Sequence, residues 1–577
     1  MHVATTRRHY TGKDGGQRIY ETHLLRRSYR DGEKVRNETL SNLSHLPPEA
    51  TAAIRAVLAG DHVVVAGERF RVERSRPHGH VAAVHAMAGR LGFPGLLGEP
   101  GRMRDVAFAL LIARVIRPAS KLATRRWWAD TTLAADLGID NASRDEVYAA
   151  LDWLADQQDA IETQLAARHL TEGGMALFDV SSSWVTGRCC PLAAFGYSRD
   201  ARRDYPQITY GLLTDPAGRP VAARVFAGNT ADPTAFTEIP TLLRDRFGLS
   251  EMIIVGDRGM LTTARIETLR AAGGFGWVSA LRAPAVAALA AENGPLQLSL
   301  FDEQNLAEIS HPNYPGERLI CCRNPALAEQ RARKRGELID ATQTALGRIQ
   351  AQVQAGRLVD PVKIGLRVGR VAGKHKVAKH FILDISRGHF SFTQNSDAIA
   401  AEAALDGIYV LRTPVPAEQM SSTDVVRAYK NLANIERDFR SLKTIDLQLR
   451  PIHHYTPTRV RAHVFLCALA GYLIWHLRQA LAPLTFTDEQ PPQRSDPVAP
   501  ARRSTGADRK AATKHTGDGE QARSFRDLLD HLSTLTRNTI AVTVAEHTTQ
   551  FEQLTVPTRT QQHAFELLQT AIPLELK

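Results

Sequence analysis

The chain has 577 residues, of which 43% are hydrophobic and 23% charged, enough apolar material for several cored units. That excludes a single small module and a globally disordered chain. Lysine and arginine outnumber aspartate and glutamate, 72 to 61, and the net charge of +11 favours an anionic partner such as nucleic acid.

Residues 1–100 open with strand-like stretches, including His23 to Tyr29 and His62 to Val72, broken by DGEK and AGE turns, and read as a β-rich basic unit. The Lys and Arg crowded into its first forty residues make either a phosphate-contacting surface or a solvated face. Residues 101–171 read as helices: RDVAFALLIARVI stops before Pro118, and Ser143-Arg-Asp-Glu146 is a capping box that opens a helix containing Trp153.

From 172 to 282 the pattern becomes βββαβαβ. Strands are expected at Met175 to Val180, Gln207 to Thr214, Val221 to Ala227, Met252 to Val255 and Phe275 to Leu281. Asp232-Pro233 supplies an N-cap and a first-turn proline for a helix to about Phe247, and Thr262 to Ala272 is a second helix. Residues 283–405 interrupt this order with strand-like pieces around a long polar helix, Pro325 to Gln354. The order resumes over 406–482, with a strand at Gly407 to Arg412 and helices over Thr423 to Leu442 and Thr458 to Leu481. Residues 483–523, poor in large apolar side chains, read as a flexible basic linker, and 524–577 as a helical tail.

Cys189-Cys190, Cys321-Cys322 and Cys467 form neither a disulfide framework nor a C-x-x-C metal knuckle, and fit buried thiols in a reducing cytoplasm. MHVATTRRHY lacks an apolar signal core, and the greasiest run, Val464 to Trp475, falls short of the ~20 residues that span a bilayer, so no membrane partner is expected.

Three acids stand out by position. Asp179 lies in the first strand of the βββαβαβ run, Asp257 closes the fourth, and Glu436 lies on the 423–442 helix. Singly, each is read as a turn, cap or solvated residue. Together they are more specific: a βββαβ sheet sets its first and fourth strands side by side, and a helix over them can add a third carboxylate. Such hard oxygens suit two Mg²⁺ or Mn²⁺ ions at a phosphodiester. Tyr429, Glu436 and Lys443 are spaced seven and seven, and each step of seven returns to within about 20° on a helix. Arg440 lies near that face, placed to pair with Glu436 or with a phosphate.

These residues resemble the DDE transposases of bacterial insertion sequences, in the branch with a ribonuclease-H-like core, a β-rich insertion before the catalytic Glu and a Tyr-x2-Arg-x3-Glu-x6-Lys signature. The chain departs from the signature at Leu432, where Arg is expected, and Arg440 is the candidate to supply that contact. Gly196-Tyr-Ser-Arg-Asp200, Arg203-Asp-Tyr-Pro-Gln207, Gly228-Asn-Thr-Ala-Asp232 and Arg450-Pro-Ile452 are similar to the same branch, and the resemblance covers about 105–482.

The resemblance implies an α/β fold: a ribonuclease-H-like mixed sheet with helices, interrupted by a β-rich insertion and preceded by a β-rich and helical DNA-binding region. It implies a transposase that binds terminal inverted repeats, cleaves DNA at the element ends and joins 3′ ends to target DNA, as a homodimer on paired ends in the bacterial cytoplasm. Asp179, Asp257 and Glu436 would be catalytic and hold two Mg²⁺, with Mn²⁺ able to substitute; Tyr429, Arg440 and Lys443 would contact DNA. Trp277 is left with two roles, core packing or stacking on a flipped base. A metal-dependent nuclease without joining activity would use the same acids. A silent DNA-binding regulator would have no need of three carboxylates beside phosphates.

Overall fold

The computed structural model describes residues 1–11, 17–32, 34–60, 70–187, 189–291, 295–296, 301–544 and 547–576. The chain divides into two units, Met1–Arg76 with Thr536–Thr555, and Pro77–Leu535 with Val556–Lys577.

In the smaller unit, β1 (His2–Thr11), β2 (Gln17–Asp31) and β3 (Lys34–Asn42) form an antiparallel meander whose side chains are largely exposed. A second sheet joins β4 (Phe70–Pro77) to Thr536–Val544 and His547–Leu554, which are β15 and β16 in chain order. The unit expected to end near residue 100 is therefore completed by strands from near the C-terminus, and the helix Gly79–Arg90 packs in the larger unit. The expected strand over His62 to Val72 falls mostly on 61–69, outside the described residues.

The larger unit is organised on β5 (Met175–Trp184), β6 (Gln207–Thr214), β7 (Pro220–Ala227), β8 (Met252–Val255) and β9 (Phe275–Ala280). Beyond them lie β10 (Leu306–Ile309), β11 (Arg318–Arg323) and β14 (Ile408–Thr413), giving the order β10-β11-β14-β9-β8-β5-β6-β7. Neighbours β5, β6 and β7 are antiparallel, whereas β8 and β9 run parallel to β5. The first and fourth strands of the βββαβαβ run are thus adjacent, as the ribonuclease-H-like order requires. Strand β6 is buried at every position because both faces of the sheet are covered. The β6–β7 turn closes on Asp215, whose Oδ1 accepts from the amides of Ala217 and Arg219, while Gly218 takes the left-handed φ of 88°.

Three helices lie on the β7 side: Arg144–His169 and Pro457–Ala480 pack on the strand, and Arg102–Ile116 packs on those two. The second opens on the expected capping box, Ser143 Oγ accepting from the Glu146 amide and Glu146 returning a bond to the Ser143 amide. The third is long and apolar enough to cross a bilayer by length and composition, but 78% of its apolar window is buried in this protein. Its composition reflects packing on all sides.

Within 283–405, β10 and β11 extend the main sheet. The rest builds a core of its own: Pro325–Gln354, Pro361–His375 and the hairpin β12 (Phe381–Ser386) and β13 (His389–Gln394) enclose Leu346, Ile364, Val368 and Phe390. Adjacent Cys321 and Cys322 face opposite ways into two different cores, and all five cysteines are free.

Three expectations are corrected. Residues 483–523 are not a loose linker: Val498 is fully buried, the helix Thr505–Thr513 forms, and the buried Lys510 Nζ donates to the carbonyls of Ala482 and Thr485. Cation-to-carbonyl bonds, including Lys430 Nζ to Val498 and Ala499, do here what apolar side chains do elsewhere. The tail is not wholly helical, since β15 and β16 separate Phe525–Ser533 from Arg559–Leu567. The helix expected over 423–442 is broken at Asn431 into Ser422–Lys430 and Leu432–Arg440, followed by a π turn at Ser441–Ile445.

Candidate active site

Parallel pairing sets the first two acids. Leu177 is level with Val255, so two residues further along each chain Asp179 and Asp257 emerge side by side at the C-terminal end of β8. Asp257 is exposed, and its Oδ1 accepts from the Arg258 amide at 2.7 Å. Asp179 is largely enclosed, with Oδ1 on the Val180 amide at 2.7 Å. Burial pushes the Asp179 carboxyl up to about 7; the Val180 amide lowers it, and the Asp257 charge adds to the rise. Tyr429, at the end of its helix, feels the charges of both aspartates, and burial first and those charges next raise its phenol well above the usual range.

The next wall comes from the stretches that read as family-like. Arg199 is ion-paired to Asp232, and its amide donates to Ser182 Oγ at 3.0 Å. Asp232 was expected to cap its helix. Its carboxylate is instead taken by Arg199, Ala231 is the cap residue, and the helix is short and passes into a π turn at Leu242–Arg246. Gly196 and Gly228 interlock here: a Cβ on Gly196 would lie 2.2 Å from the Gly228 carbonyl oxygen, and one on Gly228 1.8 Å from that of Gln207. Only glycine permits these backbones to approach so closely.

Lys443 lies in the π turn, its Nζ 3.0 Å from Asp200 Oδ1, and Arg450 pairs with the same oxygen. Trp184, Asp200, Arg202, Lys443, Gln448 and Arg450 line a polar cleft of about 420 Å³. Burial lowers the Lys443 ammonium and Asp200 opposes the change. The guanidinium that shares Asp200 with Lys443 is Arg450. Arg440 is exposed and, among the described residues, pairs with neither Glu436 nor any other acid. Leu432, at the signature's arginine position, packs against the core.

Glu436 is exposed on the Leu432–Arg440 helix. The helix seats Ile435, Phe439 and Leu442 on the sheet, with the Phe439 ring 5.7 Å from that of Tyr210. Tyr210 pairs with Ser181, so the helix covers the face of β5 that carries Asp179. Asp438 turns about 200° from Glu436 and lies over the 215–218 turn, its buried Oδ2 without a hydrogen bond. Burial, eased by Arg437 and reinforced by Asp215, pushes Asp438 up to about 8.

The structure thus brings Asp179, Asp257 and Tyr429 together and sets Lys443 on an adjoining cleft, but does not bring Glu436 to the two aspartates. Among the described residues no three His, Cys, Asp or Glu side chains converge as a metal site. The aspartate pair nevertheless fits a hard divalent cation: both offer carboxylate oxygens, and the proton affinity that burial gives Asp179 is what a neighbouring positive ion would reverse. Trp277 is buried in β9, where it packs in the core. Sequence reasoning missed Asp200 and Arg450 as site residues, although both lie in stretches it had singled out.

The sheet order and its paired carboxylates define a ribonuclease-H-like protein. The family model for the transposase DDE domain matches residues 184–473, beginning five residues after Asp179, and that for the IS1634 family transposase N-terminal domain matches residues 8–65. The chain belongs to the DDE transposases of insertion sequences. No curated protein matches it in sequence.

Proposed function

We propose that this transposase binds the terminal inverted repeats of its element, cleaves the DNA at the ends and joins the freed 3′ ends to target DNA, acting as a homodimer on two paired ends in the bacterial cytoplasm. The observation that carries the reading is the register of β5 against β8, which levels Asp179 with Asp257 beside Tyr429 of the helix Ser422–Lys430, while the next helix, Leu432–Arg440, bears Glu436. Asp179, Asp257 and Glu436 would hold two Mg²⁺ ions, or Mn²⁺ in their place, with Glu436 swinging in from its exposed position. Bound there, the ions would activate the attacking water or 3′-hydroxyl and neutralise the leaving oxygen.

The chain's own groups then have separate tasks. Tyr429 orients Asp257 and closes one side of the aspartate pair. Asp200 fixes Lys443 and Arg450 at the cleft, and both keep donors to spare for a phosphate, since ammonium and guanidinium carry three and five. Arg440, exposed and without an ion pair among the described residues, is open to the DNA backbone. End recognition falls to the basic N-terminal strands and the helices up to about residue 170, supported by the family match over 8–65.

The test is incubation with the element's own ends, intact and pre-cut, in Mg²⁺. Cleavage of intact ends and joining of pre-cut ends are expected. Cleavage without joining would make the protein a nuclease, and end binding with neither would make it a regulator.

A further inference from the structure

A second hollow, of about 220 Å³, lies behind the cleft and shares Gln448 and Arg450 with it. Its wall carries Arg114, Lys121 and Arg450 among neutral residues and three histidines, and no acid lines it. Arg114, from the helix Arg102–Ile116, is 5% exposed and donates to the carbonyls of Ala119 and Leu447 at 2.9 and 3.3 Å. Lys121, first residue of the helix Lys121–Trp128, is 4% exposed, with Nζ 3.2 Å from His463 Nδ1. His463 Nε2 faces the Leu449 carbonyl at 3.3 Å, so Nε2 carries the proton and Nδ1 accepts from Lys121. The His454 ring lies 5.2 Å from that of His463, tilted by 55°, and Ser120 caps the helix that presents Lys121.

Asp200 answers Arg450, but among the described residues no carboxylate answers the other two cations. Among the described residues neither Arg114 nor Lys121 has an ion pair. The acid near the rim, Asp152, is held by Arg459 at 3.0 Å, and Asp446 by Arg478 at 2.8 Å. The Cys467 thiol beside them is kept protonated by burial. Enclosing a guanidinium and an ammonium without a counter-charge is costly, and the usual remedy is a bound anion or loss of the proton. The hollow has room for an anion: at about 30 Å³ per water it holds roughly seven waters.

We propose that this pocket binds a phosphate group, with Lys121 and Arg114 as its charge partners and Arg450 as the link to the cleft. Its position behind the cleft favours a phosphate of the DNA that the cleft holds, a step that rests on the transposase reading. Inorganic phosphate offers the same chemistry from a free source.

The test uses the full chain. Thermal unfolding is followed with inorganic phosphate against chloride at equal ionic strength, and binding to an end-sequence duplex is measured over a salt series, for wild type, Lys121→Met and His454→Gln. The expected result is a phosphate-dependent rise in Tm for wild type that Lys121→Met abolishes. With it, Lys121→Met should weaken the duplex about tenfold and lower the salt slope by about 1. A phosphate effect with unchanged duplex affinity assigns the pocket to free phosphate. Duplex weakening without a phosphate effect assigns it to DNA alone. No phosphate effect in wild type, with duplex binding unchanged in Lys121→Met, or in His454→Gln should Lys121→Met not fold, overturns the proposal. Cleavage by wild type is scored in parallel, so that failure of the transposase reading is seen separately.

Discussion

Lys443 and Asp200 are 243 residues apart in the chain and 3.0 Å apart in the fold, and the Asp200 carboxylate that takes Lys443 also takes Arg450. One buried acid thus sets two cations of the cleft. Replacing Asp200 with Ala leaves both without their counter-charge, and a loss of roughly 3 kcal/mol is expected. Reversible urea unfolding of the variant checks this, and a change within 0.5 kcal/mol would show the cluster to be solvated. Lys443→Ala should be milder in stability and should weaken joining of pre-cut ends.

Asp179→Asn and Asp257→Asn are each expected to remove cleavage while end binding stays within a few-fold of wild type, because each change deletes a carboxylate oxygen and no cation. Gel-shift and cleavage assays on the same preparations decide it. Binding lost in step with cutting would move both residues out of the metal site. Ca²⁺, with its looser coordination, should support assembly with little chemistry.

Glu436 and Asp438 separate by helical phase. Glu436→Gln is expected to abolish cleavage and joining, whereas Asp438→Asn keeps most activity, since Asp438 lies over the β6–β7 turn beside Asp215. An active Glu436→Gln with a dead Asp438→Asn would transfer the third-acid role to the other flank.

Acid should weaken the fold through His454. Burial first, then the charges of Lys121, Arg114, Arg459 and His453, lower it to about 3, and His463 and Tyr148 pack against its ring. Unfolded, the imidazole titrates near about 6.5. Between these values the unfolded state binds the extra proton, so the contribution of the neutral ring is present above about pH 6.5 and is lost as pH falls towards 3. His454→Gln should shrink the difference between urea midpoints at neutral and mildly acid pH. An unaltered difference would place the sensitivity in another group.

Arg8 and Arg30 stand exposed on β1 and β2, in the segment matched to the N-terminal transposase domain. Changing both to Gln should weaken end binding and lower its salt slope by about 0.9 for each phosphate contact removed. A fragment ending near residue 170 is a poor substitute for this experiment, because it lacks β15, which pairs with β4, and β16, which pairs with β15. An unaltered slope would move recognition elsewhere, with the helix Pro325–Gln354 as the next candidate.

The strand order around the aspartates was legible in the sequence because it rests on local signals: alternating apolar runs, the Asp215–Arg219 turn, the Ser143 capping box and the spacing of Tyr429, Glu436 and Lys443. The turn and the capping box depend on residues a few positions apart, whereas the spacing of Tyr429, Glu436 and Lys443 survives although the structure divides them among two helices and a π turn. The sequence by itself therefore determined an α/β strand order with two level carboxylates, and the resemblance of its motifs to the DDE transposases supplied the rest. Tertiary structure decided what long-range contacts control. Arg199 took the carboxylate expected to cap a helix, Asp200 gathered Lys443 and Arg450 while Arg440 stayed exposed without the expected pairing to Glu436, and cation-to-carbonyl bonds ordered a stretch whose composition reads as a linker. It also left Glu436 exposed and short of the aspartates. The reason is physical: a buried charge settles on whichever counter-charge or carbonyl the packed chain brings within a few ångströms, and spacing along the sequence does not encode that choice.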